Sequence, residues 1–144
     1  MLLGGFRNAT VTLTNPARLL TLHKDDFDLL MCPLLVAEIG AGQARNLVEQ
    51  GEADWLDCRY DIEYDEAHIP GARNLPLDRL CELGATLDPT RLVIVYCRSG
   101  RRSAAGAFLL RERGFKAYSL TGGVRDWPYA LEGDSIETTA VMNA

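Results

Sequence analysis

The sequence predicts an α/β fold in which a parallel sheet carries helices on both faces. Two observations carry this prediction. From Val36 onward, strand-like and helix-like patterns alternate along the chain. Within that region, the run Leu92 to Tyr96 (LVIVY) is apolar throughout, which is typical of a strand that is covered on both faces. A β-hairpin and a short helix are expected to precede this sheet.

Length and composition narrow the functional classes. The chain has 144 residues, a length that suits one compact domain. Its formal net charge is -5. An acidic chain has no overall attraction for nucleic acid or for an anionic membrane surface, so we expect neither partner. The longest apolar run, Leu29 to Ala37, is too short to span a bilayer, and the N-terminus lacks a signal-peptide pattern. We therefore expect a cytoplasmic protein.

The N-terminal segment carries two strand-like patterns and one helix-like pattern. Ala9 to Thr14 (ATVTLT) alternates, Asn15-Pro16 marks a turn, and Arg18 to His23 (RLLTLH) reads as the second strand of a hairpin. Lys24 to Met31 (KDDFDLLM) predicts a short helix with acidic residues in its first turn. A hairpin and one helix cannot bury their own apolar face, so this segment is expected to pack on something else or to come from a larger unit.

The alternating region ends in a polar tail. Helices are predicted over Gln43–Gln50, Glu63–Ala67, Leu77–Leu83, Ser103–Arg113 and Val124–Leu131, and strands over Ala53–Asp57, Asn74–Leu75, Leu92–Tyr96 and Lys116–Leu120. The residues after Leu131 lack periodicity and are expected to be mobile. The chain therefore divides into an N-terminal segment at residues 1–35, the α/β domain at residues 36–131 and a flexible tail at residues 132–144.

The segment Cys97 to Ser103 (CRSGRRS) follows the most apolar strand and precedes a helix. In open α/β sheets, ligands bind where loops leave the carboxyl ends of the strands. A loop that enters a helix also presents backbone N–H groups, which lower the pKa of a cysteine at its base. Gly100 lets the loop curl, and the loop carries three cations, Arg98, Arg101 and Arg102. We expect a nucleophilic sulfur beside a small oxyanion, rather than an inert cysteine that ends a core strand.

Several motifs occur together in the order and spacing of one known family. They are Trp55-Leu56-Asp57-Cys58-Arg59, Glu63-Tyr64, His68-Ile69-Pro70-Gly71-Ala72, the Cys97 loop, and Gly122-Gly123 with Trp127. On these motifs the chain resembles a rhodanese homology domain, a single-domain sulfurtransferase. One difference is Ala67, where the family commonly has a glycine that does no chemistry. The resemblance implies a rhodanese-like parallel sheet.

The resemblance also implies a ping-pong sulfurtransferase reaction. The Cys97 thiolate attacks the outer sulfur of a small anionic donor such as thiosulfate, sulfite leaves, and Cys97 carries the sulfur as a persulfide. A thiol, cyanide or an acceptor protein then takes the sulfur, and neither a metal nor an organic cofactor is needed.

Roles for the loop residues follow from this reaction. Backbone N–H groups of the loop, including Ser99 and Gly100, are expected to hold the negative charge of the persulfide. Arg98 and Arg102 are expected to bind the sulfonate oxygens of the donor. Arg101 is expected at the rim of the loop, where it could take part in partner docking, and Ser103 is expected to hydrogen-bond the sulfur.

Other polar residues of the motifs are expected to support the site. Asp57 and Arg59 flank the end of a central strand and are expected to form a buried network beneath the loop, with Glu63 as a plausible partner of Arg59. His68 is interpreted as a structural histidine in a turn rather than as an acid–base catalyst. Cys58 is interpreted as a small core residue, and the alternative is that it resolves the persulfide as a disulfide.

Two alternative functions stay open. Related cell-cycle phosphatases and arsenate reductases carry a C-x5-R loop, whereas this chain has Ser103 at the sixth position after Cys97 and an arginine one residue earlier, at Arg102. This shorter loop disfavours a phosphate or arsenate substrate. The other alternative is a sulfur-sensing or regulatory module within a longer fusion protein.

The fusion hypothesis depends on the N-terminus. Leu2-Leu3, Arg7 to Val11 (RNATV) and the following LLTLHKDDFDLL stretch resemble the end of a cyclic-nucleotide-binding domain. Most of that domain has no counterpart here, so Arg7 cannot build a nucleotide site alone. We interpret this segment as the remnant of a larger unit, whose exposed hairpin could pair with a second copy and give a homodimer.

Overall fold

A five-stranded parallel sheet forms the centre of the domain. The computed structural model describes residues 10, 12–23, 25–26, 29, 35, 37–83 and 86–133, without the side chains of residues 81 and 83. The strands are β1 (Glu38–Ile39), β2 (Ala53–Asp57), β3 (Arg73–Asn74), β4 (Leu92–Tyr96) and β5 (Lys116–Leu120). They lie in the order β1-β5-β4-β2-β3, and every neighbouring pair is parallel.

Helices cover both faces of this sheet. They are α1 (Ala41–Glu49), α2 (Asp61–Glu66), α3 (Leu80–Leu83), α4 (Arg101–Glu112) and a 3-10 helix (Gly123–Asp126). Leu110 of α4 packs with Val95 on one face, and Ala44 of α1 packs with Ile94 on the other. The predicted α/β fold with helices on both faces is therefore confirmed.

The central strand explains the apolar run in the sequence. Four of the five residues of β4 are buried, because β2 and β5 flank it and helices cover it on both faces. The structure confirms the predicted bounds of β2, β4 and β5. At Gly106 the α4 backbone comes close to β4, and an added Cβ would lie 3.3 Å from Val95 Cγ1. The carboxyl ends of the three central strands share one edge of the sheet.

The predicted N-terminal hairpin is wrong for the residues that the structure describes. Positions 10 and 12–23 contain no strand, and Leu19 and Leu20 are 68% and 103% exposed. A two-stranded hairpin is only marginally stable unless an apolar face is buried, and this segment buries none of its described leucines. Positions 25, 26 and 29 of the predicted Lys24–Met31 helix are helical, and its other positions lie outside the described residues.

Several element boundaries differ from the prediction. Helix α4 begins at Arg101 rather than Ser103, because Gly100 supplies the left-handed turn before it. The predicted Val124–Leu131 helix is a 3-10 helix that ends at Asp126, since a proline at 128 disfavours helical backbone at Trp127, which is extended. Smaller shifts occur in α1, α2, α3 and β3, and β1 is a strand that the sequence reading omitted.

Some predictions concern residues that the structure does not describe. Residues 1–9, 11 and 134–144 lie outside the described residues, and they include Leu2-Leu3, most of Arg7 to Val11 and most of the predicted tail. The resemblance to a cyclic-nucleotide-binding domain, the domain boundaries, the homodimer and the cytoplasmic location stay predictions. In the part of the chain that the structure covers, no helix combines the length and apolar character that a bilayer crossing requires.

Candidate functional site

The candidate site is built around Cys97, which directly follows β4 and is 1% exposed. Gly100 has a φ of 87° and turns the chain into α4. This turn directs the start of the helix at the sulfur, so that the backbone N–H of Ser103 donates to Cys97 Sγ at 3.4 Å. The Ser103 hydroxyl lies 3.6 Å from the same sulfur. Cys97 is thus surrounded by hydrogen-bond donors from its own loop.

The Cys58 thiol and these loop donors favour the thiolate form of Cys97. The pKa of its thiol is lowered to about 4, and the largest cause is a hydrogen bond from the Cys58 thiol. Burial opposes the lowering of the pKa, while the Ser103 N–H, the Ser103 hydroxyl and the Ser99 N–H add to it. The proton stays on Cys58, whose pKa is raised first by its hydrogen bond to Cys97 and then by burial. The site therefore contains one ionised and one neutral thiol.

A residue that the sequence reading missed, Ser119 of β5, supports Ser103. The two hydroxyl oxygens lie 2.9 Å apart, and Ser103 Oγ is also 3.0 Å from the Gly100 carbonyl oxygen. Both serines are fully buried. A buried hydroxyl is tolerated where it is hydrogen-bonded. In the sequence, the signal for this polar contact was a serine inside the strand-like run Lys116 to Leu120.

The 3-10 helix holds the loop from its other side. The backbone N–H of Val124 donates to the Cys97 carbonyl at 2.8 Å, and that of Arg125 donates to the Arg98 carbonyl at 2.9 Å. Gly123 makes this approach possible, since its φ is +64° and an added Cβ would lie 2.8 Å from the Arg98 carbonyl carbon and closer still to the Cys97 oxygen. Gly123 therefore lets the 3-10 helix hold the loop in this position.

Two of the loop arginines face solvent. Arg98 and Arg101 are exposed and line, with Ser99 and Arg125, an open cavity of about 500 Å³ at the mouth of the loop. Arg125, which the sequence reading also missed, forms an exposed ion pair with Asp126 at 2.9 Å. The mouth of the loop is consequently rich in guanidinium groups despite the acidic composition of the chain.

Arg102 is the third loop arginine, and it is already paired. Its Nη1 and Nη2 each donate to one carboxylate oxygen of Glu63, at 2.7 Å in both cases. The pair lowers the pKa of Glu63 and raises that of Arg102. The predicted pairing of Glu63 with Arg59 is wrong, because Glu63 in α2 faces the start of α4 instead. Its bidentate contact fastens the loop to α2.

Asp57 and Arg59 form the buried network that the sequence predicted. Arg59 donates through Nη2 to Asp57 Oδ2 at 2.6 Å and through Nε to both Asp57 oxygens. Its Nη2 also donates to the Ala67 carbonyl at 2.7 Å. The two side chains are 0% and 7% exposed. This pair ties the carboxyl end of β2 to the segment after α2.

His68 pairs with Glu132 in an isolated antiparallel bridge, away from the loop's hydrogen bonds. Its Nδ1–H donates to the Tyr64 carbonyl at 2.8 Å, since a carbonyl can only accept, and its ring stacks on Tyr64. Its backbone forms two hydrogen bonds with Glu132, and Nε2 lies 3.6 Å from Glu132 Oε2. All of these contacts hold the chain in place, which agrees with a structural histidine.

Known proteins are similar to this chain in sequence and in fold. Residues 40–130 match the family described as the rhodanese-like domain. The thiosulfate sulfurtransferase PspE of Escherichia coli is 36% identical over 74 residues, which are 50% of this chain and 71% of PspE. The thiosulfate sulfurtransferase GlpE of Coxiella burnetii is 35% identical over 95 residues, which are 65% of this chain and 89% of GlpE.

The similarity extends to a longer protein and to a solved structure. YrkF of Bacillus subtilis is 33% identical over 94 residues, and these span 51% of YrkF, so the chain matches about half the length of that protein. A crystal structure of a rhodanese-related protein from Thermoplasma volcanium superposes with a TM-score of 0.64 at 25% identity, over 68% of this chain and 99% of that one. The parallel sheet and these similarities agree, and the chain belongs to the rhodanese-like domain family.

Proposed function

We propose that the chain transfers sulfane sulfur from an anionic donor, with thiosulfate as the probe donor, to a thiol or cyanide through a persulfide on Cys97. The observation that carries the proposal is the buried Cys97 thiolate within a loop of hydrogen-bond donors. The thiolate is the reactive form of a cysteine, and donors around it also stabilise the negative charge of a persulfide.

The guanidinium groups at the mouth of the loop support an anionic donor. Arg98 and Arg101 are exposed at the open cavity, where they can attract a sulfonate and orient its outer sulfur toward Cys97. Arg102 was expected to bind the donor as well, but Glu63 occupies both of its Nη atoms. We assign Arg98 and Arg101 to the donor and give Arg102 a positioning role. Sulfite leaves after Cys97 attacks, and an acceptor then removes the outer sulfur.

Single-turnover loading tests this proposal. Reduced protein is mixed with thiosulfate in the absence of any acceptor, and released sulfite is measured beside Cys97→Ser. We expect one sulfite for each wild-type chain and none from the variant. Addition of cyanide at early times should yield thiocyanate from the wild type alone. A folded, reduced wild type that releases no sulfite would exclude thiosulfate as a donor.

The Glu63–Arg102 pair offers a second test. Glu63→Gln removes the carboxylate charge, so the loop gains net positive charge without losing a hydrogen-bonding side chain. We expect a several-fold lower KM for thiosulfate, because the charge of Arg102 is no longer neutralised by a carboxylate and adds to the attraction of the donor. Glu49→Gln is the matched control, since Glu49 pairs with an arginine on the exposed face of α1. An unchanged KM in Glu63→Gln would argue that the charge of Arg102 does not reach the donor.

A further inference from the structure

A second thiol lies beside the nucleophile. β2 and β4 are paired in parallel with Asp57 opposite Tyr96, so the next residues, Cys58 and Cys97, are also neighbours across the two strands. The Cys58 N–H donates to the Tyr96 carbonyl at 3.0 Å, which continues the pairing beyond the last strand residues. The two side chains point to the same face, where they belong to one buried cluster.

This register suits a covalent bond between the two sulfurs. Neighbouring strands lie about 4.8 Å apart, and disulfides join residues whose Cα atoms are about 4.4–6.8 Å apart. The interaction between the two thiols lowers the pKa of Cys97 and raises that of Cys58, as expected for neighbouring sulfurs. Both residues are 1% exposed, so a reaction between them needs no access from solvent. The free thiols found here are therefore held at a distance from which a disulfide can form.

We infer that Cys58 is a resolving thiol, which converts the Cys97 persulfide into a Cys58–Cys97 disulfide and releases the outer sulfur as sulfide. This inference rests on the proposed persulfide at Cys97, and it adds a sulfide-releasing reaction to the sulfur transfer.

The reaction is balanced without an external oxidant. The Cys58 sulfur attacks the inner sulfur of the persulfide, the bond between the two sulfurs of the persulfide breaks, and the outer sulfur leaves with the proton of Cys58 as hydrosulfide. The sulfane sulfur gains two electrons, and the two cysteine sulfurs lose them on forming the disulfide. An external dithiol must then reduce the disulfide before the next turnover.

The two possible fates of the sulfur differ in the atom that is attacked. An external acceptor attacks the outer sulfur and carries it away, whereas Cys58 approaches the inner sulfur from the neighbouring strand. Transfer of sulfur to Cys97 also moves the negative charge from the inner to the outer sulfur. The Cys58 proton then has a new acceptor close by, and its release to the leaving sulfide becomes favourable. Sulfide release therefore competes with transfer whenever an acceptor is scarce.

The test is a single turnover in a chain that contains only these two thiols. Cys32→Ser and Cys81→Ser remove the other cysteines of the sequence. The reduced protein is loaded with thiosulfate without oxygen or added thiol and is desalted at once. Sulfite and sulfide are measured in the small-molecule fraction that desalting separates, and the intact mass is measured in the protein fraction. We expect one sulfide for each sulfite, a loss of two hydrogen atoms from the reduced mass, and a cross-linked peptide that joins Cys58 to Cys97.

Substitution of Cys58 gives the comparison. Cys58→Ser and Cys58→Val in the same background should release sulfite, gain one sulfur atom and produce no sulfide. A persistent persulfide in the protein that retains Cys58, or equal sulfide release after its substitution, would overturn the inference while leaving the proposed function intact. Absence of sulfite from every variant would instead overturn the proposed function on which the inference rests.

Discussion

The depressed pKa of Cys97 predicts an unusual pH profile for its alkylation. A thiol with a pKa of about 4 is about 99% ionised at pH 6, whereas an ordinary cysteine with a pKa of about 8.5 is about 0.3% ionised there, a difference of roughly 300-fold. The alkylation rate of Cys97 should therefore be constant from pH 8 to pH 6 and should fall tenfold per pH unit only below the pKa.

Removal of the Cys58 thiol tests the origin of this depression. Cys58 provides the largest contribution to the low pKa of Cys97, so Cys58→Ala should raise that pKa. A hydrogen bond to a charged group contributes about 1.5–3 kcal/mol, which corresponds to an inflection displaced upward by about one to two pH units. The remaining contacts from Ser103 keep the inflection below that of an ordinary cysteine.

The assay is alkylation with iodoacetamide, followed by digestion and quantification of the peptide that contains Cys97. The inflection point is the measured quantity, since thiolates of low pKa are also weaker nucleophiles and their plateau rates differ. The same protein in urea is the control, because unfolding removes the loop contacts and should restore an ordinary profile. A native wild-type inflection near pH 8 would refute the hydrogen-bonding explanation of the site.

Two stability predictions concern the scaffold of the loop, and both are measured by urea unfolding. Asp57→Asn should cost about 3–5 kcal/mol because it leaves the buried guanidinium of Arg59 without its carboxylate. Asp54→Asn, which breaks an exposed pair, should cost less than about 1 kcal/mol, and equal losses would contradict the role given to burial. Gly123→Ala should destabilise the fold more than Gly114→Ala by about 1–3 kcal/mol: both glycines have positive φ, but Gly114 has no atom within 4 Å of an added Cβ. A similar loss in both glycine variants would show that backbone conformation, rather than overlap with the loop carbonyls, accounts for the cost.

The central strands could be predicted from the sequence because burial on both faces leaves a strong signal. Leu92–Tyr96 is apolar throughout, and its predicted bounds match β4. The N-terminal hairpin failed for the opposite reason. The alternating β-branched residues at Ala9–Thr14 indicate only a local preference for extended backbone. A stable strand also needs a neighbouring strand and a buried face. Leu19 and Leu20 are exposed, so the apolar side chains of the predicted second strand are not buried against another element.

The residues of the candidate loop could be predicted from the sequence, but the contacts between the loop and residues distant in sequence could not. The cysteine, the glycine and the arginines of the loop are local in sequence, so their chemistry could be inferred directly. The partner of Glu63 could not, because two arginines were available and only the folded chain, which brings Glu63 of α2 to the start of α4, selects Arg102. The proximity of Cys58 and Cys97 depends in the same way on the order and register of the strands. The spacing of the two residues in the sequence does not reveal that order or register.

The hydrogen bonds from the 3-10 helix to the loop also bear on the order of events during protein synthesis. Cys97 and Arg98 leave the ribosome before Val124 and Arg125, whose N–H groups bind their carbonyls. Domains generally fold as units once their last elements have emerged. We therefore expect a nascent chain that ends before residue 124 to carry its nucleophile in an unfastened loop, so that sulfur chemistry begins only in finished domains.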